Sequence, residues 1–142
     1  MTVGRVLSGK GGEVVSVSPD DSLETAAQVL VKHGIGAILA MRGDEIAGVL
    51  SERDIVRAVG EGGAGALQEP VSALMTSSVI TCRPQDTIAE VMGVMTERRI
   101  RHVPVVEEGR LVGIVSIGDL VKERIAQSEH EAAALRDYIS TG

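Results

Sequence analysis

The sequence predicts an α+β fold made of two pseudo-symmetric copies of one β-α-β-β-α unit packed together. A shift of 65 residues lays positions 14–60 over 79–125 without a gap. Identities fall at Val14/Val79, Pro19/Pro84, Asp21/Asp86, Val29/Val94, Ile35/Ile100, Gly48/Gly113, Ser51/Ser116, Asp54/Asp119 and Val56/Val121. Between them the apolar class is kept, and in both copies it passes from a β-like run to helical spacing and back to extended runs.

In each copy a short strand (14–17 or 79–82) stops at a proline, Pro19 or Pro84, because proline cannot continue strand pairing. A helix follows. Asp21 with Glu24, and Thr87 with Glu90, have capping-box spacing. Leu23, Ala26, Ala27 and Leu30, like Ile88, Val91, Met92 and Met95, recur at i, i+3, i+4 and i+7, so one face of each helix is buried. Gly34 suits a left-handed helix end, and Arg99 stands at that place in the second copy. Two strands (37–41 and 46–50; 102–106 and 111–115) then flank the turns Arg42-Gly43-Asp44-Glu45 and Glu107-Glu108-Gly109-Arg110. A last helix begins near Ser51 or Ser116. The expected division is 1–65 for the first repeat (core 14–60), 66–125 for the second (core 79–125) and 126–142 for a helical tail.

Composition narrows the function classes. The 142 residues are 44% hydrophobic and 24% charged, and Tyr138 is the one aromatic residue, so aliphatic side chains must build the core. A net charge of −6 argues against nucleic acid, whose phosphates are bound by Lys and Arg. Cys82 is the sole cysteine, which excludes an intrachain disulfide, and the three histidines are not paired at ligand spacing, so no metal is expected. The opening "MTVGRVLSGKGG" has no apolar signal-peptide core, and no run is long enough to cross a bilayer. A cytoplasmic location away from membranes is expected. Gly60-Glu61-Gly62-Gly63-Ala64-Gly65 matches G-x-G-x-x-G literally but follows a helix, where a dinucleotide fingerprint must follow a strand. Gly9-Lys10-Gly11 lacks the spacing of a P-loop. Neither is read as a phosphate site.

Ser51-x-x-Asp54 and Ser116-x-x-Asp119 each stand where a strand turns into a helix. One reading is an N-cap with an acidic third residue. Capping alone does not require the glycine that precedes each Ser by three positions. The other reading takes the carboxylate as acceptor for a vicinal diol, with the helix start and the Ser hydroxyl near an anion; diol and phosphate on one molecule describe a nucleotide.

The phrases "IAGVLSERDIVRAV", "RIRHVPVV" and "LVGIVSIGDLV", with the duplication and the order of elements, closely resemble the cystathionine-β-synthase-type (CBS) domain family, whose repeats pair as a Bateman module. The likeness covers about residues 3–125, including the parallel between Thr2-Val3 to Leu7 and Pro70-Val71 to Met75. It implies a non-catalytic sensor that binds an adenosine nucleotide (AMP, ATP or NAD(H)) in clefts between the repeats and modulates an unidentified protein in trans. Asp54 and Asp119 would hold ribose hydroxyls, with Ser51 and Ser116 on the phosphate side. Arg101, His102 and the backbone at Val103-Pro104 would reach phosphate, and adenine would lie near Ser16 and Val17 or near Val79, Ile80 and Thr81. The first copy has Leu39 for Pro104 and Gly36-Ala37 for Arg101-His102; Arg53, at the place of Gly118, is its substitute cation. The alternative is a dimeric scaffold whose clefts are vestigial. Nothing in the residues indicates an enzyme.

From Asp119 to Thr141 there is neither Gly nor Pro, so the last helix is expected to run on. Ile125, Ala132, Leu135 and Ile139 form a thin apolar stripe along it. Most such stripes pack onto their own domain; the resemblance, to a family whose pairs commonly associate as disc-like dimers, implies instead that this one clasps a second subunit in a homodimer.

Overall fold

A computed structural model of the chain describes residues 1–141. The elements run α1 (Val3–Lys10), β1 (Ser16–Val17), α2 (Leu23–His33), β2 (Ala37–Arg42), β3 (Glu45–Ser51) and α3 (Glu52–Gly62). A 3-10 turn (Ala64–Gln68) leads to α4 (Val71–Leu74), α5 (Ile88–Arg98), β4 (His102–Glu107), β5 (Arg110–Ser116) and α6 (Ile117–Thr141). The β-α-β-β-α order is complete in the first copy, and the second repeats it with its first strand reduced to a single bridge.

Two compact units form, and they do not follow the expected division after residue 65. One is Glu13–Ile80; the other joins Met1–Gly12 to residues 81–141. The cause is legible in the backbone hydrogen bonds. In the unit holding the first repeat, Val71 N–H donates to the Asp21 carbonyl, Ser72 N–H to Pro19, and Leu23 N–H to Glu69. In the other, Val3 donates to Asp86, Gly4 to Pro84, and Ile88 to Met1. Each repeat therefore closes around the helix that precedes the opposite repeat in sequence.

The glycine of each Gly-x-x-Ser-x-x-Asp motif belongs to this closure. A methyl group at Gly113 would fall 2.7 Å from Leu7 Cδ2, and one at Gly48 would fall 2.5 Å from Met75 Sδ. Leu7 and Met75 are the equivalent residues of the two borrowed segments, so the strand must be bare where they cross it. The glycine is a packing requirement of the fold rather than a mark of ligand binding.

Each unit has its own apolar core. Val17, Leu23, Ala26, Leu30, Ile38, Ala40, Leu50, Ala58 and Val71 make one; Val3, Val6, Cys82, Ile88, Val91, Met95, Val103, Val105, Val115 and Leu120 make the other. The helix stripes read from the sequence face these cores. Burial pushes the Cys82 thiol up, reinforced by Asp86, to about 11, so it stays protonated and unreactive at neutral pH.

Local differences from expectation have local causes. The N-cap of α2 is Ser22, which accepts from Thr25 N–H; Asp21 instead accepts from Ser18 N–H at 2.9 Å, and the repeat-related Asp86 from Arg83 N–H at 2.8 Å. These aspartates tie the turn after the strand, which explains their duplication better than the expected Asp21–Glu24 box. The Thr87–Glu90 box is present. Gly34 ends α2 at φ 61°, and Arg99 takes the same left-handed conformation at φ 58° despite its side chain.

In the first unit β1 pairs parallel with β2 and β2 antiparallel with β3. In the second, β4 and β5 form the matching hairpin, while the expected strand 79–82 contracts to one parallel bridge, Cys82 with Val105. Cys82 N–H donates to the Pro104 carbonyl and Val106 N–H to the Cys82 carbonyl. The next donor upstream in this alternating ladder would be the amide of Pro104, which has no hydrogen. The first copy has Leu39 there and keeps two paired residues.

Gly48→Ala should destabilise the protein by about 1–3 kcal/mol through overpacking. The added methyl meets the Thr76 carbonyl oxygen at 2.9 Å as well as Met75, and that backbone is fixed by its ladder to Val49. Gly113→Ala should cost less, because only the end of the Leu7 side chain stands in its way. Urea unfolding of the two variants checks the order.

Candidate functional site

The twin Ser-x-x-Asp motifs form reciprocal capping boxes. Asp54 Oδ2 accepts from Ser51 N–H at 2.9 Å and from Ser51 Oγ at 3.0 Å, while Asp54 N–H donates to Ser51 Oγ at 3.3 Å. Asp119 Oδ2 accepts from Ser116 N–H at 2.9 Å, and Asp119 N–H donates to Ser116 Oγ at 3.1 Å. The first helical amide is satisfied in the same way in both units: Glu52 N–H donates to the Gly36 carbonyl and Ile117 N–H to the Arg101 carbonyl. Strand end, helix start and the opening of the neighbouring strand are thus fixed against one another. Among the described residues, the bonds to each carboxylate fall on Oδ2, which leaves Oδ1 for a further donor.

The two junctions differ in one cation that sequence reasoning passed over. Lys10, at the end of α1, donates from Nζ to Asp119 Oδ2 at 2.6 Å and to the Ile114 carbonyl at 2.9 Å. At the equivalent carbonyl of the other unit, Val49, the donor is the backbone amide of Thr76. Lys10 therefore fills a place that a main-chain N–H fills in the other copy, and it brings a charge with it. Gly11 ends α1 at φ 95°, and a Cβ on Gly12 would lie 2.9 Å from the Val112 carbonyl. The Gly-Lys-Gly-Gly run lets the chain pass closely along β5. Its signal in the sequence was present but pointed to no partner until α1 was known to pack on the second repeat.

Desolvation pushes the Asp119 carboxyl upward, but the hydrogen bond from Lys10, the Ser116 amide and the ammonium charge outweigh it and hold the group below its usual range. Asp119 is an ionised, partly buried acceptor with a lysine at its side.

Of the other expected site residues, Ser16 is exposed and Val17 buried on β1, opposite Leu39 and Ala40. Ser51 lies opposite Ala37, two residues along β2 from Leu39, so β1 and the strand that leads into α3 flank β2 on its two edges. Arg53 is exposed on the first turn of α3. His102 pairs with Ser116 across the β4–β5 ladder, placing both beside the start of α6; Val103 and Pro104 are buried, and Arg101 is exposed. Thr81 is exposed in this same unit, whereas Val79 and Ile80 are half-buried in the unit of the first repeat. Among the described residues there is no cluster of three or more His, Cys, Asp or Glu able to hold a metal ion, and no helix is long and apolar enough to cross a membrane.

A duplicated strand–helix unit with a capped Ser-x-x-Asp junction in each copy defines a tandem-repeat module. The CBS domain family model matches residues 10–61 and 71–126, and the chain belongs to that family. YhcV of Bacillus subtilis, a CBS domain-containing protein, is 33% identical over 122 residues, covering 85% of this chain and 84% of its own. Hypoxic response protein 1 of Mycobacterium tuberculosis is 33% identical over 123 residues, 86% of this chain and 85% of that protein. Among solved structures, the CBS-domain containing protein ATU1752 from Agrobacterium tumefaciens is 46% identical, with a TM-score of 0.86 over 87% of this chain and 99% of its own. The CBS domain pair of protein MJ0100, in complex with 5′-methylthioadenosine and S-adenosyl-L-methionine, is 25% identical, with a TM-score of 0.76 over 86% of this chain and 98% of that one.

Because the Asp119 carboxyl is depressed in the folded state, its ion pair stabilises the protein above the ordinary carboxylate pKa of about 4 and is lost as pH falls toward the folded value. Lys10→Met should lower stability at pH 7 by about 0.5–1 kcal/mol, a modest figure because Lys10 is partly exposed and screened. The gap between variant and parent should close as pH falls below about 4, as followed by urea unfolding across that range.

Proposed function

We propose that the protein is a non-catalytic sensor in which the strand-to-helix junctions grip adenosine compounds and ligand binding alters its contact with a partner protein. The observation that carries this reading is the Asp119 carboxylate: ionised, a quarter exposed, bonded through one oxygen, and flanked by an ammonium and a helix start. A ribose diol donates to carboxylate oxygens, and a 5′-phosphate takes Lys10 and the Gly118 amide in the first turn of α6. His102 stands on the strand beside it, and Arg101 immediately precedes that strand. Asp54 with Ser51 and Arg53 forms the second junction, without the lysine. Ser16 and Val17 in one unit, and the 79–81 segment, supply aliphatic and polar contacts for adenine. The ligand classes are AMP, ATP and NAD(H), and MJ0100 extends them to sulfur-containing adenosines, which carry the same diol. The protein works as a homodimer.

The Lys10–Asp119 pair also favours a second reading, in which the charged contact has replaced the ligand and the module is a dimeric scaffold. A thermal-shift panel of AMP, ATP, NAD, NADH, 5′-methylthioadenosine and S-adenosylmethionine separates the two: a ligand of the folded state raises the unfolding temperature, and the scaffold reading requires no shift with any of them.

Losing a charge-assisted hydrogen bond to the diol costs about 1.5–3 kcal/mol, so Asp119→Ala should weaken the best ligand roughly 10- to 100-fold. Lys10→Met should weaken AMP but spare 5′-methylthioadenosine, which has no phosphate. Calorimetry with both ligands checks the split, and equal losses for the two would remove Lys10 from the phosphate side.

A further inference from the structure

We infer that α6 is the seam of the homodimer, pairing with α6 of a second copy as a parallel, in-register two-stranded coil. The helix has two separate faces. Leu120 is fully buried, and Glu123 reaches Arg5 of α1 at 3.5 Å, so one side belongs to the helix's own unit. Val121, Ile125, Leu135 and Ile139 lie on the other side at 38, 54, 59 and 68% exposure. With Ser128 and Ala132 they follow spacings of four, three, four, three and four, the seam of a heptad repeat. Ile125, Ala132 and Ile139 take the a positions; Val121, Ser128 and Leu135 take d. Ile at a with Leu at d, the combination of Ile139 and Leu135, favours two strands over three or four. A helix as long as α6 gains most of its stability from a packed apolar face, and the outer part of this one is exposed.

Charge identifies the occupant and its direction. In a parallel pair each g residue meets the e residue five positions on in its neighbour. That sets Arg124 against Glu129 and Glu131 against Arg136, and symmetry makes both pairs twice. An antiparallel pair that kept the same seam would set Glu129 against Glu129, Glu131 against Glu131, and Lys122 against Arg136. All three of these contacts repel, and the remaining flanking pair, Arg124 against Tyr138, holds no opposite charges. Glu131 meets Gln127 within its own helix at 3.3 Å, an exposed contact that an ion pair readily replaces.

This inference rests on the homodimer proposed above, and the full chain tests the two separately by sedimentation equilibrium. The parent is expected to be a dimer. Leu135→Glu with Ile139→Glu should raise its dissociation constant about 100-fold or more while leaving the unfolding temperature of the units unchanged. An acidic chain (Arg124→Glu with Arg136→Glu) and a basic chain (Glu129→Arg with Glu131→Arg) should each dissociate alone and form a heterodimer when mixed. Ser128→Cys, in a chain with Cys82→Ser, should form a disulfide-linked dimer on mild oxidation, since only the parallel register brings the two residue 128 positions together. A dimer indifferent to Leu135→Glu and Ile139→Glu, or one that fails to cross-link through residue 128, overturns the seam and leaves the homodimer standing. A parent that is monomeric throughout overturns both.

Discussion

A side chain laid across a bare glycine in the last strand of each repeat decides how this chain is put together. Leu7 crosses β5 at Gly113, and Met75 follows α4 onto β3 at Gly48. The same segments bond to the turn after each proline, through Asp86 and Pro84 in one unit and Asp21 and Pro19 in the other. Three residues upstream of each motif serine, the absence of a side chain therefore fixes which helix covers which sheet. The serine and aspartate fix the following helix onto the strand end. One seven-residue phrase thus carries a packing constraint and a capping constraint at once, which is why it is duplicated so faithfully.

Much of the fold was legible because its determinants are local. Helical spacing of Leu23, Ala26 and Leu30, the left-handed end at Gly34, and the Thr87–Glu90 box depend on residues a few positions apart. What escaped depends on residues far apart. The exchange of the two leading helices leaves no trace in composition, and Lys10 lies 109 positions from its carboxylate. Proline at 104 shortened a strand in a neighbouring segment by withholding a hydrogen, an effect that appears only once the parallel register is known. Asp21 shows the limit of spacing rules: it has a glutamate three residues on, yet it ties the preceding turn and hands the cap to Ser22.

The candidate site shows how little chemistry separates a structural junction from a binding one. Both aspartates serve first as helix caps, and a cap would be complete with Oδ2 alone. The second junction adds a cation and a depressed pKa, while the first keeps a backbone amide in the same place. The pair has therefore diverged in charge while preserving geometry. Two near-identical scaffolds can in this way present different charge at the same place.

The exchange of leading helices also has a temporal side. A ribosome releases the chain from its first residue, and the unit Glu13–Ile80 contains every segment it needs by the time Ile80 has emerged. Helix α1 is made before the unit Glu13–Ile80, yet the sheet it covers appears only after that unit. Until the segment from Cys82 to β5 arrives, Val3, Val6 and Leu7 lack their native partners, so α1 waits for shelter while a whole unit is made after it.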